Sequence, residues 1–177
     1  MASTLGSFHQ HFNKKQLYLE LQAQSIACCL LVSQVNKIFS LMALTPVAKT
    51  PDYLVGVFNY HGVSVPVIDL AMRLGETKDA AYSINTTVLL CNTLDAGILF
   101  AMIVSDIGNI ITLNSTELQL VQQFPGQSSP FSAICQQAKQ SRFVLNTDAL
   151  LDSSLTQLYT LSPKEVNSLI SHDFKRD

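Results

Sequence analysis

The chain has 177 residues, which is enough for one domain or for two small lobes that share a core. Hydrophobic residues make up 47% of it and charged residues 14%, so either the core is generous or some apolar surface faces a partner. The formal net charge of −2 provides no basic surface, which argues against binding to nucleic acid or to an anionic membrane. We find neither a signal-peptide pattern nor an apolar run long enough to span a bilayer, and therefore expect a cytoplasmic protein.

Alternating apolar and polar residues mark the first strands. They predict a strand over 17–22 with one solvent-facing side, and a second strand over 25–31 that is apolar on both sides. Leu31, Val35 and Ile38 then recur at the spacing of one helical face. This spacing predicts a turn of helix before the chain extends again.

A hairpin at the centre of the chain carries the clearest pattern. Valines alternate with other residues over 55–60 and again over 63–68, which predicts two strands. His61 and Gly62 between them predict a tight turn, because glycine adopts a positive φ without a steric clash. Pro66 has no N–H to donate to a neighbouring strand, so we expect the second strand to lie at a sheet edge or to carry a bulge there. A sheet edge of this kind is a place where a partner docks.

Asp69 follows the hairpin at the point where the apolar period changes from two residues to about four. Its carboxylate is therefore placed to cap a short helix, which we expect Gly75 to end. The alternative role for Asp69 is that of a general base. Capping explains the residue without a further assumption.

The second half of the chain continues the pattern of short strands separated by turns. The predicted elements are a hairpin of strands 87–91 and 98–104, a strand to residue 113 after a bulged bend at 105–106 that Gly108 relieves, strands at 131–137 and 142–146, and a capped helix that starts at Ser162. Many short strands with little helix indicate all-β barrels and argue against a parallel sheet. The last helix is expected to pack on the barrels, which we favour over a partner-binding role for it.

No residue pattern in the sequence indicates catalysis. The motifs of serine hydrolases, β-lactamases, zinc proteases, dinucleotide-binding proteins and P-loop proteins are all missing from it. His9 and His11 have no further ligand nearby, so we predict no metal site. The cysteines form no CxxC pair, and we expect them to be small core residues: Cys28, Cys29, Cys91 and Cys135. We predict neither an enzyme nor a cofactor.

The segment from Gly56 to Leu70 reads G-V-x-N-x-x-G-x-x-V-P-V-I-D-L. It resembles the signature of the CheW-like family, the coupling proteins of bacterial chemosensory arrays, and its first five residues are similar to the Wsp-type branch of that family. The resemblance implies an all-β fold of two intertwined SH3-like five-stranded barrels with short helices, a hydrophobic seam between the barrels and a C-terminal helix. The domain bounds that follow are a flexible tail at 1–15, the CheW-like domain at 16–152, and a helix with a tail at 153–177.

The resemblance also implies partners. Family members bridge the regulatory domain of the histidine kinase CheA to the cytoplasmic tip of chemoreceptors, and like folds can dock edge to edge into rings. The resemblance places two sets of residues in this role. The positions that the family uses for receptor or kinase contact correspond to Val35, Lys37, Gly56, His61 and Ile110. The signature strand, turn and edge add Val57, Asn59, Gly62 and Pro66, although maintenance of the fold is an alternative explanation for the signature positions.

Two positions depart from the family pattern. His61 stands where the family usually has arginine, and Lys37 stands where it usually has an acidic residue. The charge at the expected receptor groove is therefore changed, because a turn histidine is mostly neutral at pH 7 whereas arginine stays charged. The alternative to an adaptor is a freestanding sensor domain that binds a small apolar ligand in the seam between the lobes.

Overall fold

The structure is a computed structural model, and it describes residues 15–77, 81–121, 129–137 and 139–151. Within these residues the chain is built almost entirely of strands, which confirms the predicted all-β class. The strands are β1 (Gln16–Ala23), β2 (Ile26–Leu31), β3 (Val35–Ser40), β4 (Leu54–Tyr60), β5 (Val63–Asp69), β6 (Thr87–Asn92), β7 (Leu99–Val104), β8 (Asp106–Leu113), β9 (Leu118–Leu120), β10 (Phe131–Gln137) and β11 (Gln140–Leu145). The helical pieces are α1 (Leu70–Arg73), α2 (Thr147–Leu150) and two 3₁₀ turns at Val32–Gln34 and Ser115–Glu117.

The strands form two mixed sheets. One sheet has six strands in the order β8-β1-β2-β11-β10-β9, and the other has five in the order β3-β6-β7-β5-β4. The chain starts in the six-stranded sheet, builds the whole five-stranded sheet, and then returns to complete the first. The two units are therefore intertwined, as the resemblance implied, and the sixth strand of the first sheet is the three-residue β9.

Both sheets curl back on themselves. In the six-stranded sheet, β8 and β9 lie at opposite edges, yet only residues 114–117 separate them in the chain. In the five-stranded sheet, the edge strands β3 and β4 meet through Phe39 and Phe58, whose ring centroids lie 5.7 Å apart in an edge-to-face arrangement. Because of this curvature, each sheet has an inner, concave face that side chains must cover.

Three hydrophobic clusters fill the molecule. One lies between the two sheets and includes Leu19, Leu89 and Phe100; we call it the seam core. The second lies inside the five-stranded sheet, and the third inside the six-stranded sheet. The predicted burial of Val67 is confirmed, since it is 1% exposed in the second cluster.

The predicted central hairpin is confirmed. Strands β4 and β5 pair in antiparallel fashion, with Tyr60 opposite Val63, so His61 and Gly62 alone make the turn. Both turn residues have a positive φ, 51° for His61 and 87° for Gly62, which is the conformation of a two-residue turn that matches strand twist. The side-chain oxygen of Asn59 accepts a hydrogen bond from the Gly62 N–H at 2.8 Å and fixes the turn from inside.

The prediction that Pro66 lies in an edge strand is wrong. Its strand β5 lies between β4 and β7. The alternative, a bulge, lies next to Pro66 on the partner strand, because the β4–β5 register shifts between Leu54 and Gly56, opposite Ile68 and Val67. Pro66 is paired with Val57, and the Val57 N–H and C=O both bond to Thr45, at 2.9 and 2.8 Å. The Val57–Pro66 pair is therefore one without mutual hydrogen bonds, and the ring nitrogen of Pro66 points away from β4. The ladder with β7 begins only at Val67, so the missing N–H leaves no gap in either ladder.

The predicted short helix is confirmed at both ends. The Asp69 carboxylate accepts a hydrogen bond from the Met72 N–H at 3.1 Å, as an N-cap does. Gly75, at a φ of 94°, follows the last turn and donates to the Met72 carbonyl, while the Glu76 N–H donates to the Ala71 carbonyl. These two bonds form a Schellman motif, which needs a residue that tolerates positive φ.

The other predicted elements have mixed outcomes. The first two strands, the β6–β7 hairpin and the β10–β11 pair are confirmed. The expected bend lies at Ser105, between β7 and β8, but the bulge lies further along, where the β1–β8 register shifts between Leu19 and Leu21, opposite Gly108. The predicted helical turn around Val35 is only the 3₁₀ turn Val32–Gln34, and Val35 itself begins β3. The predicted tail, up to residue 14, and the predicted C-terminal helix lie outside the described residues.

Candidate partner-binding surface

Three of the sequence-predicted site residues lie inside the fold. Gly56, Val57 and Pro66 are buried, so their side chains do not reach solvent in this structure. Gly56 has a packing reason to be glycine, since an added Cβ would lie 2.8 Å from the Thr45 carbonyl oxygen. These residues hold Thr45 against the outer edge of β4, and we assign them a supporting role beneath the surface.

The hairpin tip carries three exposed candidates. Asn59, His61 and Gly62 are all exposed. The His61 ring packs edge to face on Tyr60 at a centroid distance of 4.5 Å, so the histidine side chain is held in place against the hairpin. The tip therefore presents an imidazole on a fixed turn.

Strand β3 places Val35 and Lys37 at an edge of the five-stranded sheet. Val35 is partly buried and packs against the seam core, whereas Lys37 is exposed. In the part of the chain that the structure describes, the ion pair formed is Glu20–Arg142, so Lys37 has no carboxylate within 4 Å there. Its ammonium group is available to a partner.

Ile110 lies on β8, the edge strand of the other sheet, and is 59% exposed. It pairs with Leu19, and directly paired residues of antiparallel strands point to the same face. Leu17 points the same way, two residues before Leu19, and is 51% exposed. On the five-stranded sheet, Ile38 pairs with Leu89 of the seam core and is 47% exposed. These three side chains face the seam but lie at its open border.

We call Leu17, Ile38 and Ile110 the seam margin. Of these three residues, only Ile110 is predicted from the sequence as a site residue. The sequence pattern places Leu17 in an alternating strand and Ile38 in a helical turn. The signal that identifies them is the strand register, with Ile38 on the edge strand β3 and Leu17 near the start of β1, beside the edge strand β8. Neither the register nor the strand order can be derived from spacing alone.

The titratable side chains with a raised pKa lie in the core or take part in hydrogen bonds of the fold. Burial raises the pKa of the Cys28, Cys29 and Cys91 thiols to about 12, so these thiols are neutral and unreactive at pH 7. Tyr82 donates a hydrogen bond to the Asp69 carboxylate at 2.7 Å, and burial together with this bond raises the pKa of its hydroxyl. Among the described residues, no group of three or more His, Cys, Asp and Glu side chains is placed to hold a metal. The exposed side chains of the described residues are suited to contact with a partner.

The seam core leaves little room for an apolar ligand. The buried residues that form it between the sheets are each 7% exposed or less. Two open cavities of about 370 and 360 Å³ lie at its borders, where Leu21 lines the first and Ala71 and Val104 line the second, and polar side chains contribute to both. The first is bordered by the Glu20–Arg142 ion pair and the second by Asp69.

Comparison with protein families gives a match to the CheW-like domain over residues 17–155. The chain belongs to the CheW-like family. The chemotaxis protein CheW of Klebsiella aerogenes is 27% identical over 93 residues, 52% of this chain and 54% of that protein. The chemotaxis protein CheW of Rhizobium meliloti is 24% identical over 91 residues, 51% of this chain and 57% of that protein. The aligned part of this CheW-like chain thus spans about half the length of these relatives.

A solved structure has the same fold. The scaffolding protein TtCheW from Thermoanaerobacter tengcongensis superposes with a TM-score of 0.69, over 80% of this chain and 96% of that one, at 17% sequence identity. At this identity the likeness establishes the fold of the CheW-like chain. In the described residues, no helix has the length and apolar character needed to cross a membrane.

Proposed function

We propose that this CheW-like protein is a cytoplasmic, non-catalytic adaptor that couples a chemoreceptor to a CheA-type histidine kinase. Membership of the family and the chemotaxis and scaffolding names of its relatives support a role in a chemosensory assembly. The seam margin is the single structural observation that carries the proposal. Three large apolar side chains there are about half exposed, although they point to the same side as the seam core.

The seam margin has the properties of a docking surface. Leu17 and Ile110 are diagonal neighbours across β1 and β8, and Ile38 faces the seam from the other sheet. Covering the exposed half of each side chain contributes about 1 kcal/mol to binding. The margin accepts the apolar side of a receptor's cytoplasmic tip.

Charged and polar groups near the margin give the contact its specificity. Lys37 is the neighbour of Ile38 on β3 and points to the opposite face of that edge strand. In the curled five-stranded sheet, β3 runs antiparallel to β4, so the contact of Phe39 with Phe58 places Lys37 toward the hairpin tip that carries His61. We assign Val35, Lys37 and His61 to the receptor contact beside the margin, and Asn59 and Gly62 to the turn that presents His61.

Binding measurements on the two partners test the proposal. The full chain is titrated, by calorimetry, with the regulatory domain of a CheA-type kinase and with the cytoplasmic fragment of a chemoreceptor from the same organism. We expect both partners to bind, and Ile110→Asp to weaken receptor binding by roughly tenfold or more, because it places a charge in an apolar contact. Ile84→Asp is the matched control, since Ile84 is 79% exposed in the turn before β6 and is not one of the seam-margin residues. The absence of binding to either partner at about 50 μM overturns the proposal.

A further inference from the structure

The second cavity combines a buried carboxylate with a neutral polar wall. Its volume is about 360 Å³, which is within the usual range for a small-molecule site. Asp69 lies in its lining and is 6% exposed. Gln24, Thr86, Thr87 and Ser105 supply amide and hydroxyl groups around it. Ala71, Ala81, Ile103 and Val104 supply the apolar part of the lining, so the wall is about half polar and carries one carboxylate.

No cationic side chain balances this charge among the described residues. The described residues that line the cavity include no Lys, Arg or His, and the ion pair found in the described chain is the distant Glu20–Arg142. The Asp69 carboxylate accepts one hydrogen bond at each oxygen, from the Met72 N–H and from the Tyr82 hydroxyl. A carboxylate has about four acceptor positions, so it can accept further donors from the cavity side.

A second acid lies near the cavity but outside its lining. The Gln24 side chain, which lines the cavity, donates to the Thr77 carbonyl, and the neighbouring Ser25 hydroxyl bonds to the Glu76 carboxylate. A buried negative charge without a cationic partner is costly, and a bound cation lowers that cost. The Asp69 carboxylate in the lining therefore favours a positively charged ligand.

We propose that this cavity binds a small aliphatic ammonium compound, whose three N–H donors are shared between the Asp69 carboxylate and the hydroxyl oxygens of the wall. An ammonium group suits the site because a single carboxylate with neutral oxygens supplies acceptors in several directions. The site is separate from the seam margin and does not depend on the adaptor role.

Ethanolammonium is a suitable probe, and ethylene glycol is its uncharged counterpart of similar size. Each compound is titrated into the isotopically labelled full chain at constant ionic strength while the backbone amide resonances are recorded. We expect saturable shifts at Thr86, Thr87 and Ser105 with ethanolammonium, and binding of ethylene glycol weaker by roughly tenfold or more, because hydrogen bonds to charged groups are the stronger ones.

Asp69→Asn is the decisive variant, because asparagine keeps the capping oxygen and removes the charge. We expect it to weaken ethanolammonium binding by roughly tenfold or more, while the same change at the exposed Asp52 leaves binding unchanged. Thr87→Val removes one hydroxyl group from the cavity wall and leaves the Asp69 cap of α1 unchanged. Shifts that do not saturate in the wild type, equal binding of the two compounds, or equal binding by Asp69→Asn each overturn the proposal.

Discussion

The seam core and the seam margin point to the same side of the same strands but have different roles. Leu19 and Leu89 lie in the middle of the seam and are 7% and 0% exposed, whereas Leu17 and Ile38, on the same faces, are 51% and 47% exposed. The chemistry of the side chains is alike, so the difference arises from position within the sheets. An apolar residue stabilises the fold where a second sheet covers it, and it is left for a partner where no sheet does.

Substitution at the centre of the seam is expected to have the largest effect. Leu89→Ala removes a fully buried side chain and leaves a cavity, so the free energy of unfolding should fall by about 3 kcal/mol. Leu17→Ala is the matched change at the margin and should alter stability by less than about 0.5 kcal/mol. Urea denaturation of both variants measures the contrast. Equal losses in the two variants would contradict the division into core and margin.

Substitution at Gly56 should lower the free energy of unfolding somewhat less than Leu89→Ala does. Gly56→Ala brings a Cβ to 2.8 Å from the Thr45 carbonyl oxygen at a φ of 155°, so the segment that covers the outer edge of β4 must move. We expect a loss of about 2 kcal/mol in the free energy of unfolding. Gly62→Ala is the control, since a Cβ there meets no atom within 4 Å and only the positive φ of 87° opposes it. A larger loss at Gly62 than at Gly56 would refute the packing explanation.

Alkaline pH should destabilise the core through its thiols. Burial raises the pKa of Cys28, Cys29 and Cys91 from 9.0 to about 12. The neutral thiols therefore contribute full stability below about pH 9, and this contribution is lost as the pH rises toward 12, because the unfolded chain ionises first. At pH 10 the loss is about 1 kcal/mol for each thiol. The melting temperature of the wild type should fall more steeply between pH 8 and 10 than that of Cys91→Ala, and parallel curves would show that the thiols are not responsible.

The hairpin tip should show the smallest effect on stability. His61→Arg restores the residue that the family usually carries, at an exposed turn position with a φ of 51°. We expect the free energy of unfolding to change by less than about 0.5 kcal/mol while the affinity for the receptor fragment changes. Calorimetric titration of both forms measures this, and identical affinities would remove His61 from the interface.

Local sequence patterns predicted most of the fold. The β4–β5 hairpin, the Asp69 cap and the Gly75 stop each depend on neighbouring residues, so alternation and capping chemistry were sufficient to find them. Pro66 was misplaced because its ring nitrogen points toward β7, where the ladder begins only at Val67. The pairing of β5 with β7 joins distant parts of the chain, so it could not be derived from the local alternation.

The candidate surface could be predicted less completely from the sequence than the fold. A strand that is apolar on one side looks the same whether another sheet covers it or not, so Leu17 could not be distinguished from Leu19. The family signature lies on the hairpin, where Gly56, Val57 and Pro66 are buried. At Gly56 the close approach of Thr45 explains the residue without a partner. The exposed margin is identified only when the two sheets are brought together.

Methyl resonances of the chain in complex with its partners test the central claim most directly. The deuterated, methyl-labelled protein is mixed with the receptor fragment, and saturation is transferred from the fragment to the methyl groups it touches. We predict strong attenuation at Ile110, Ile38 and Leu17 and none at Ile84, which is more exposed than any of them. Attenuation at Ile84 with the seam margin unaffected would contradict the account.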